Sequence, residues 1–177
     1  MQGSLSPPKP KNKIPMFHTE TEMALMQRAI ELALKAQAAG EVPVGALIAL
    51  NGEVIGEGWN RPILAHDPTA HAEIEALREA GRQVQNYRLV GATLFVTLEP
   101  CVMCMGAISH ARIQRVIYGA PDPKRGAAGS ALQLADADFL NHRVEVTGGL
   151  YGEACSNLLL DFFRARRSTS SVRSSEI

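Results

Sequence analysis

The chain has 177 residues, 46% hydrophobic and 20% charged, with 18 basic side chains balanced by 18 acidic ones. That length suits one domain with a sizeable core, and the zero formal charge excludes a bulk polycation, so any polyanion contact must rest on a local patch. No apolar run reaches the roughly 18 residues of a membrane span, no secretory signal opens the chain, and three cysteines make no disulfide framework, which points to the cytoplasm and to no membrane partner.

Residues 1–18 read as a flexible tail, rich in Pro7, Pro8, Pro10 and Pro15 and in Lys9, Lys11 and Lys13, and Met1-Gln2-Gly3-Ser4 resembles an expression remnant. Thr19 and Glu22 then form a capping box for a helix running to about Ala39, with Met23, Met26, Ile30, Ala33, Leu34 and Gln37 as its inward stripe and Gly40 as its stop. Val44–Leu50 and Glu53–Trp59 are strands joined by Asn51-Gly52, a strong hairpin signal because both residues tolerate positive φ. A polar loop fills Asn60–Thr69, and a helix spans about Ala70–Gly81. Thr93–Leu98 is a buried strand, Cys101 to about Ala111 a helix, and Arg115–Gly119 another strand. A Pro/Gly-rich loop at Pro121–Ser130 precedes a fifth strand, Val144–Thr147. A last helix at about Tyr151–Arg167 carries Leu158, Leu159, Phe162 and Phe163 on one side, and 168–177 reads as a second flexible tail. The order predicts one α/β domain over 19–167, a three-layer α/β/α fold with a mixed five-stranded sheet flanked by helices.

The chemistry concentrates in two short motifs, His71-Ala72-Glu73 and Pro100-Cys101-Val102-Met103-Cys104. His71, Cys101 and Cys104 are three good zinc ligands. The i, i+3 cysteines share one face of a helix start, where the helix dipole favours thiolates. Three protein ligands leave tetrahedral zinc an open position, and water held there is a hydrolytic nucleophile at neutral pH. Glu73, two residues past His71, does not share its helical face; that suits a carboxylate that moves protons rather than a fourth ligand. The competing reading is a structural site completed by His66, His110, His142 or Cys155, although such sites usually carry two close ligand pairs and only one is present.

These motifs resemble those of the zinc-dependent nucleobase deaminases. Gly56–Pro62, Asp67–Ile74, Thr97–Cys104, Lys124–Ser130, Asn141–Glu145 and Asp161–Arg167 are more specifically similar to the bacterial tRNA-specific adenosine deaminases, over about residues 20–167. The resemblance implies a cytidine deaminase-like fold. It implies hydrolytic deamination of the wobble adenosine, the first anticodon base at position 34, to inosine in an arginine tRNA. It also implies a homodimer with one Zn2+ per subunit. By the same pattern His71, Cys101 and Cys104 bind zinc, Glu73 shuttles protons, Asn60 contacts the purine and Asp122 the target ribose. Lys124, Arg125, Arg164, Arg166 and Arg167 are candidate contacts to the RNA backbone of an anticodon stem-loop. Arg125 departs from the family, where a smaller residue is common.

Two other functions share parts of this pattern. One is a zinc-dependent deaminase of a free base or nucleoside such as guanine or cytidine, which uses the same zinc chemistry. The other is a non-enzymatic zinc-containing RNA-binding module, which has no use for an open coordination position beside a carboxylate.

Overall fold

The computed structural model describes residues 18–173, with side chains through Ser168. Most of the expected amino-terminal tail therefore lies outside the described residues. Helix α1 (Glu20–Ala38) begins where the capping box places it: the Glu22 amide donates to the Thr19 hydroxyl and the Thr19 amide to the Glu22 carboxylate, each at 3.1 Å. Its buried face is Met26, Ala29, Ile30, Leu32, Ala33 and Ala36. Met23 and Leu34, expected in that stripe, are instead 40% and 47% exposed. The cause is steric. α1 lies so close to the sheet that a Cβ at Gly45 would sit 2.1 Å from the Ala29 carbonyl oxygen, and only the alanine-rich face permits that approach.

Strands β1 (Gly45–Leu50) and β2 (Glu53–Trp59) form the expected hairpin, with Asn51 and Gly52 at φ 53° and 85°. The following loop contains a short helix, α2 (Pro62–Ala65), which the polar character of 60–69 concealed. Helix α3 (Ala72–Val84) runs through Gly81, expected as its end, and stops at Gln85 in the left-handed conformation. A glycine in a helix costs only about 1 kcal/mol, less than the burial of this helix returns. Strand β3 (Thr93–Leu98), helix α4 (Val102–His110) and strand β4 (Arg115–Ala120) follow. Strand β5 (Glu145–Gly148) and helix α5 (Gly152–Arg173) complete the fold. The helix continues six residues beyond Arg167, so the expected tail at 168–177 begins as helix.

The sheet order is β2-β1-β3-β4-β5, with β1 antiparallel to both neighbours and β3, β4 and β5 parallel. Alternating side chains divide the core, as the period of a strand requires. Ala46, Ile48, Leu94, Val96 and Val116 pack with α3 and α4 on one face. Leu47, Ala49, Phe95 and Ile117 meet α1 on the other, with α5 packed beside it through Cys155. Each fully buried aliphatic side chain contributes about 1.5–3 kcal/mol. The expected three-layer arrangement with a mixed five-stranded sheet is thus present. No helix among the described residues is long and apolar enough to cross a membrane.

Two glycines set the height of α3 over β2. A Cβ at Gly58 would lie 2.2 Å from the Ala72 carbonyl oxygen, and one at Gly56 2.6 Å from that of Ala76. Their absence of side chain lets the start of α3 drop onto the sheet. The carboxyl ends of the adjacent parallel strands β3 and β4 open beside it, where α/β sheets place their ligands.

Candidate active site

His71 is the N-cap of α3 and Cys101 the N-cap of α4, one position earlier than the first-turn placement expected for each. Cys104 lies in the first turn of α4 and is fully buried. The two helix starts face each other. Cys101 Sγ is 3.7 Å from both Cys104 Sγ and His71 Nδ1, and Cys104 Sγ is 3.6 Å from His71 Nδ1. A tetrahedral ion bonded at about 2.3 Å to sulfur and about 2.0 Å to nitrogen spaces its ligands by about 3.5–3.8 Å. The donor set therefore fits zinc through Nδ1 and two sulfurs, one ion per chain.

The electrostatics agree with the geometry. The Cys101 thiol is pulled down to about 4, chiefly by the hydrogen bond from Cys104 and further by the His71 imidazole. Cys104 is pushed up by the same hydrogen bond and by burial. The hydrogen bond to Cys101 raises His71. Two sulfurs and an imidazole nitrogen within hydrogen-bonding distance of one another form a donor set in which a divalent cation takes the place of the thiol protons.

These three are the one group of potential ligands brought together among the described residues. His66, His110, His142 and Cys155, the candidate fourth ligands, are outside it. His142 Nε2 is 2.7 Å from the Ile113 carbonyl oxygen, and Cys155 is buried with Ile30 and Ala120 between α1 and α5. The structural-site reading thus finds no fourth ligand among these residues.

Glu73 is in the first turn of α3, 4% exposed. It is not in the ligand group, yet its carboxylate lies within hydrogen-bonding reach of the Cys104 sulfur. Burial raises its pKa above the ordinary carboxylate value. Asn60 directly follows β2 and is also buried; its Oδ1 accepts the Ala72 amide at 2.9 Å. That bond caps α3 from outside the helix and leaves the Asn60 Nδ2 group as a donor. The Asp122 Oδ1 accepts from the amides of Lys124 at 3.0 Å and Arg125 at 3.1 Å, a turn-building role.

Lys124 and Arg125 are exposed, and the Arg125 charge acts on the His71 imidazole, which places this loop beside the ligands. The α5 arginines differ from one another. Arg164 pairs with Asp161 at 2.8 Å, and Arg166 stacks over the Phe162 ring at 5.0 Å. Phe163, expected on the inward side of α5, is 44% exposed.

Two buried carboxylates escaped the sequence reading. Glu99 accepts hydrogen bonds from the loop after β4. Glu41 accepts the Leu64 amide at 2.8 Å and anchors α2. The only sequence signal for either is an acidic residue bordering an apolar strand, and most such residues are solvated.

A family model described as the cytidine and deoxycytidylate deaminase zinc-binding region matches residues 19–120. The tRNA-specific adenosine deaminase of Haemophilus influenzae is 50% identical over 155 residues, which is 87% of this chain and 90% of that protein. That of Buchnera aphidicola subsp. Baizongia pistaciae is 44% identical over 151 residues, 84% and 91% of the two chains. A structure solved in a study of A-to-I editing by tRNA:A34 deaminases superposes with a TM-score of 0.75 at 43% identity, covering 77% of this chain and 99% of its own. The guanine deaminase of Nitrosomonas europaea gives 0.68 at 25% identity, covering 85% and 88%. With the His-Cys-Cys donors in place, the chain belongs to the cytidine and deoxycytidylate deaminase zinc-binding family and is a zinc-dependent deaminase similar to the bacterial tRNA-specific adenosine deaminases.

Proposed function

We propose that this enzyme hydrolyses adenosine to inosine at the wobble position, position 34, of an arginine tRNA. The observation that carries the reaction is Glu73, a buried carboxylate beside three metal donors but not one of them. The substrate reading is supported by the identity to tRNA-specific relatives over most of both chains.

Zinc held by His71 Nδ1, Cys101 Sγ and Cys104 Sγ would supply Lewis-acid activation of water at neutral pH. Glu73 takes the proton of the attacking water on a carboxylate oxygen and passes it to N1 of the adenine as C6 becomes tetrahedral. Glu73 then helps protonate the exocyclic nitrogen, and ammonia leaves. The balance is one water in and one ammonia out, with no net electron transfer. The Asn60 Nδ2 donates to a ring nitrogen of the purine, because its Oδ1 is committed to Ala72. Asp122 has one oxygen committed to its own turn and offers the other to a ribose hydroxyl. Lys124, Arg125 and the arginines 164, 166 and 167 hold phosphates. An anticodon loop presents its base more cheaply than a duplex does.

The enzyme acts as a homodimer with one zinc per subunit, in the cytoplasm. A groove of about 730 Å³ between α3 and α4, lined in part by Ile74, Leu77, Ala107 and Ala111 with the exposed Tyr87, supports the dimer. It lies on the two helices that carry the ligands. The similarity to a guanine deaminase favours one rival, deamination of a free base. The test is inosine formation at single-nucleotide resolution on arginine tRNA, with free adenosine, guanine and cytidine alongside. Inosine confined to position 34 supports the proposal; ammonia from a free base with the tRNA untouched overturns it.

A further inference from the structure

Glu99 stands between the end of β3 and Pro100-Cys101, only 3% exposed. Its Oε2 accepts the Asp122 amide at 3.0 Å and the Ser130 hydroxyl, and its Oε1 accepts the Ala128 amide at 3.1 Å and the Ser130 amide at 2.9 Å. Four donors from both ends of one loop thus converge on one buried carboxylate. A backbone bond from the Ala127 amide to the Pro100 carbonyl at 2.8 Å and a bridge between Cys101 and Gly126 close the same seam. Space is tight: a Cβ at Gly126 would lie 2.3 Å from the Glu99 carboxyl carbon.

We propose that Glu99 is a positioning residue, a clamp that fixes the loop 121–130 in register with the metal-bearing segment so that Asp122 meets the substrate. This rests on the reading above that the loop meets an RNA substrate. The clamp requires a carboxylate, because three of its four donors are backbone amides that cannot reverse. In Glu99→Gln the new amide group best occupies the Oε2 position, where the Ser130 hydroxyl can turn from donor to acceptor. The Asp122 amide cannot turn, and it then faces another N–H. The substitution therefore releases the loop at Asp122 while leaving the two bonds at Oε1.

The experiment measures kcat and KM on an arginine tRNA anticodon stem-loop, zinc content, and amide exchange across 121–130. It uses wild-type protein, Glu99→Gln, Asp122→Ala and the double variant. For Glu99→Gln, KM rises about tenfold, kcat stays within about twofold, zinc is unchanged, and exchange quickens at Asp122. The double variant has a KM close to that of Asp122→Ala alone, because both changes act through one contact. A lost kcat with lost zinc would make Glu99 part of the metal site. An unchanged KM, or multiplying effects in the double variant, would refute the clamp. If Glu99→Gln does not fold, Ser130→Ala removes one donor and must raise KM in the same direction, with an unchanged KM refuting the clamp. Wild-type protein inactive on RNA but active on a free base would overturn the substrate reading instead, and the same comparison of KM and kcat on that base then decides the role of Glu99.

Discussion

The metal cluster and the loop 121–130 lie side by side at the ends of β3 and β4, but they are held in different ways. His71, Cys101 and Cys104 sit at two helix starts, fixed by backbone geometry and by the packing of α3 against Gly56 and Gly58. The loop has exposed side chains at Lys124 and Arg125 and is tied down by the Glu99 carboxylate, which directly follows β3 and accepts its hydrogen bonds. The first region is rigid because its helices are rigid. The second is ordered by one buried residue outside it. Under the proposed function, chemistry that demands sub-ångström geometry is built on the helices, and recognition of a larger substrate falls to the tethered loop.

The comparison breaks most sharply at Glu73. Its replacement by Gln lowers kcat by about 10²–10⁴-fold while zinc content stays at one per chain, measured by turnover and by elemental analysis of the same sample. Next is Gly126→Ala, whose Cβ meets the Glu99 carboxylate. It raises KM by about tenfold or more and leaves zinc in place; simultaneous loss of metal would show that loop and cluster are one unit. A smaller effect is expected at Arg167→Ala, which weakens RNA binding several-fold and lowers the salt slope by about one unit, read from affinities over a salt titration.

How much of this was legible depends on the range of the interactions. The capping box at Thr19, the hairpin at Asn51-Gly52 and the ligand spacing at Cys101 and Cys104 are local, and the sequence displays them directly. The inward face of α1 is as expected at Met26, Ile30 and Ala33 and differs at Met23 and Leu34, because the choice of face depends on Gly45 and on alanines that carry little hydropathy signal. Glu99 and Glu41 were invisible for a related reason. Each serves a backbone amide 23 or more residues away, and nothing at that distance marks the partner. The end of α3 was displaced because Gly81 signals a stop locally, whereas packing carries the helix through it.

The gentlest probe is on α5, behind the end of β4. Burial pushes the Cys155 thiol up to about 11 from 9.0. The folded chain keeps that proton longer than the unfolded one, so the contribution is full below about pH 9 and falls as pH rises from 9 toward 11. Denaturation curves across that range should show the decline, and Cys155→Ala should flatten it without altering activity.

The most direct test of the account is a comparison of wild-type protein and Glu73→Gln, each measured for zinc, for affinity to an arginine tRNA anticodon stem-loop, and for single-turnover inosine formation. If the buried carboxylate moves protons beside a metal it does not bind, the variant keeps one zinc and an affinity within about threefold of wild type, and loses the reaction by about a hundredfold or more. A variant that still forms inosine at the wild-type rate, or one that loses its zinc together with its activity, would contradict it.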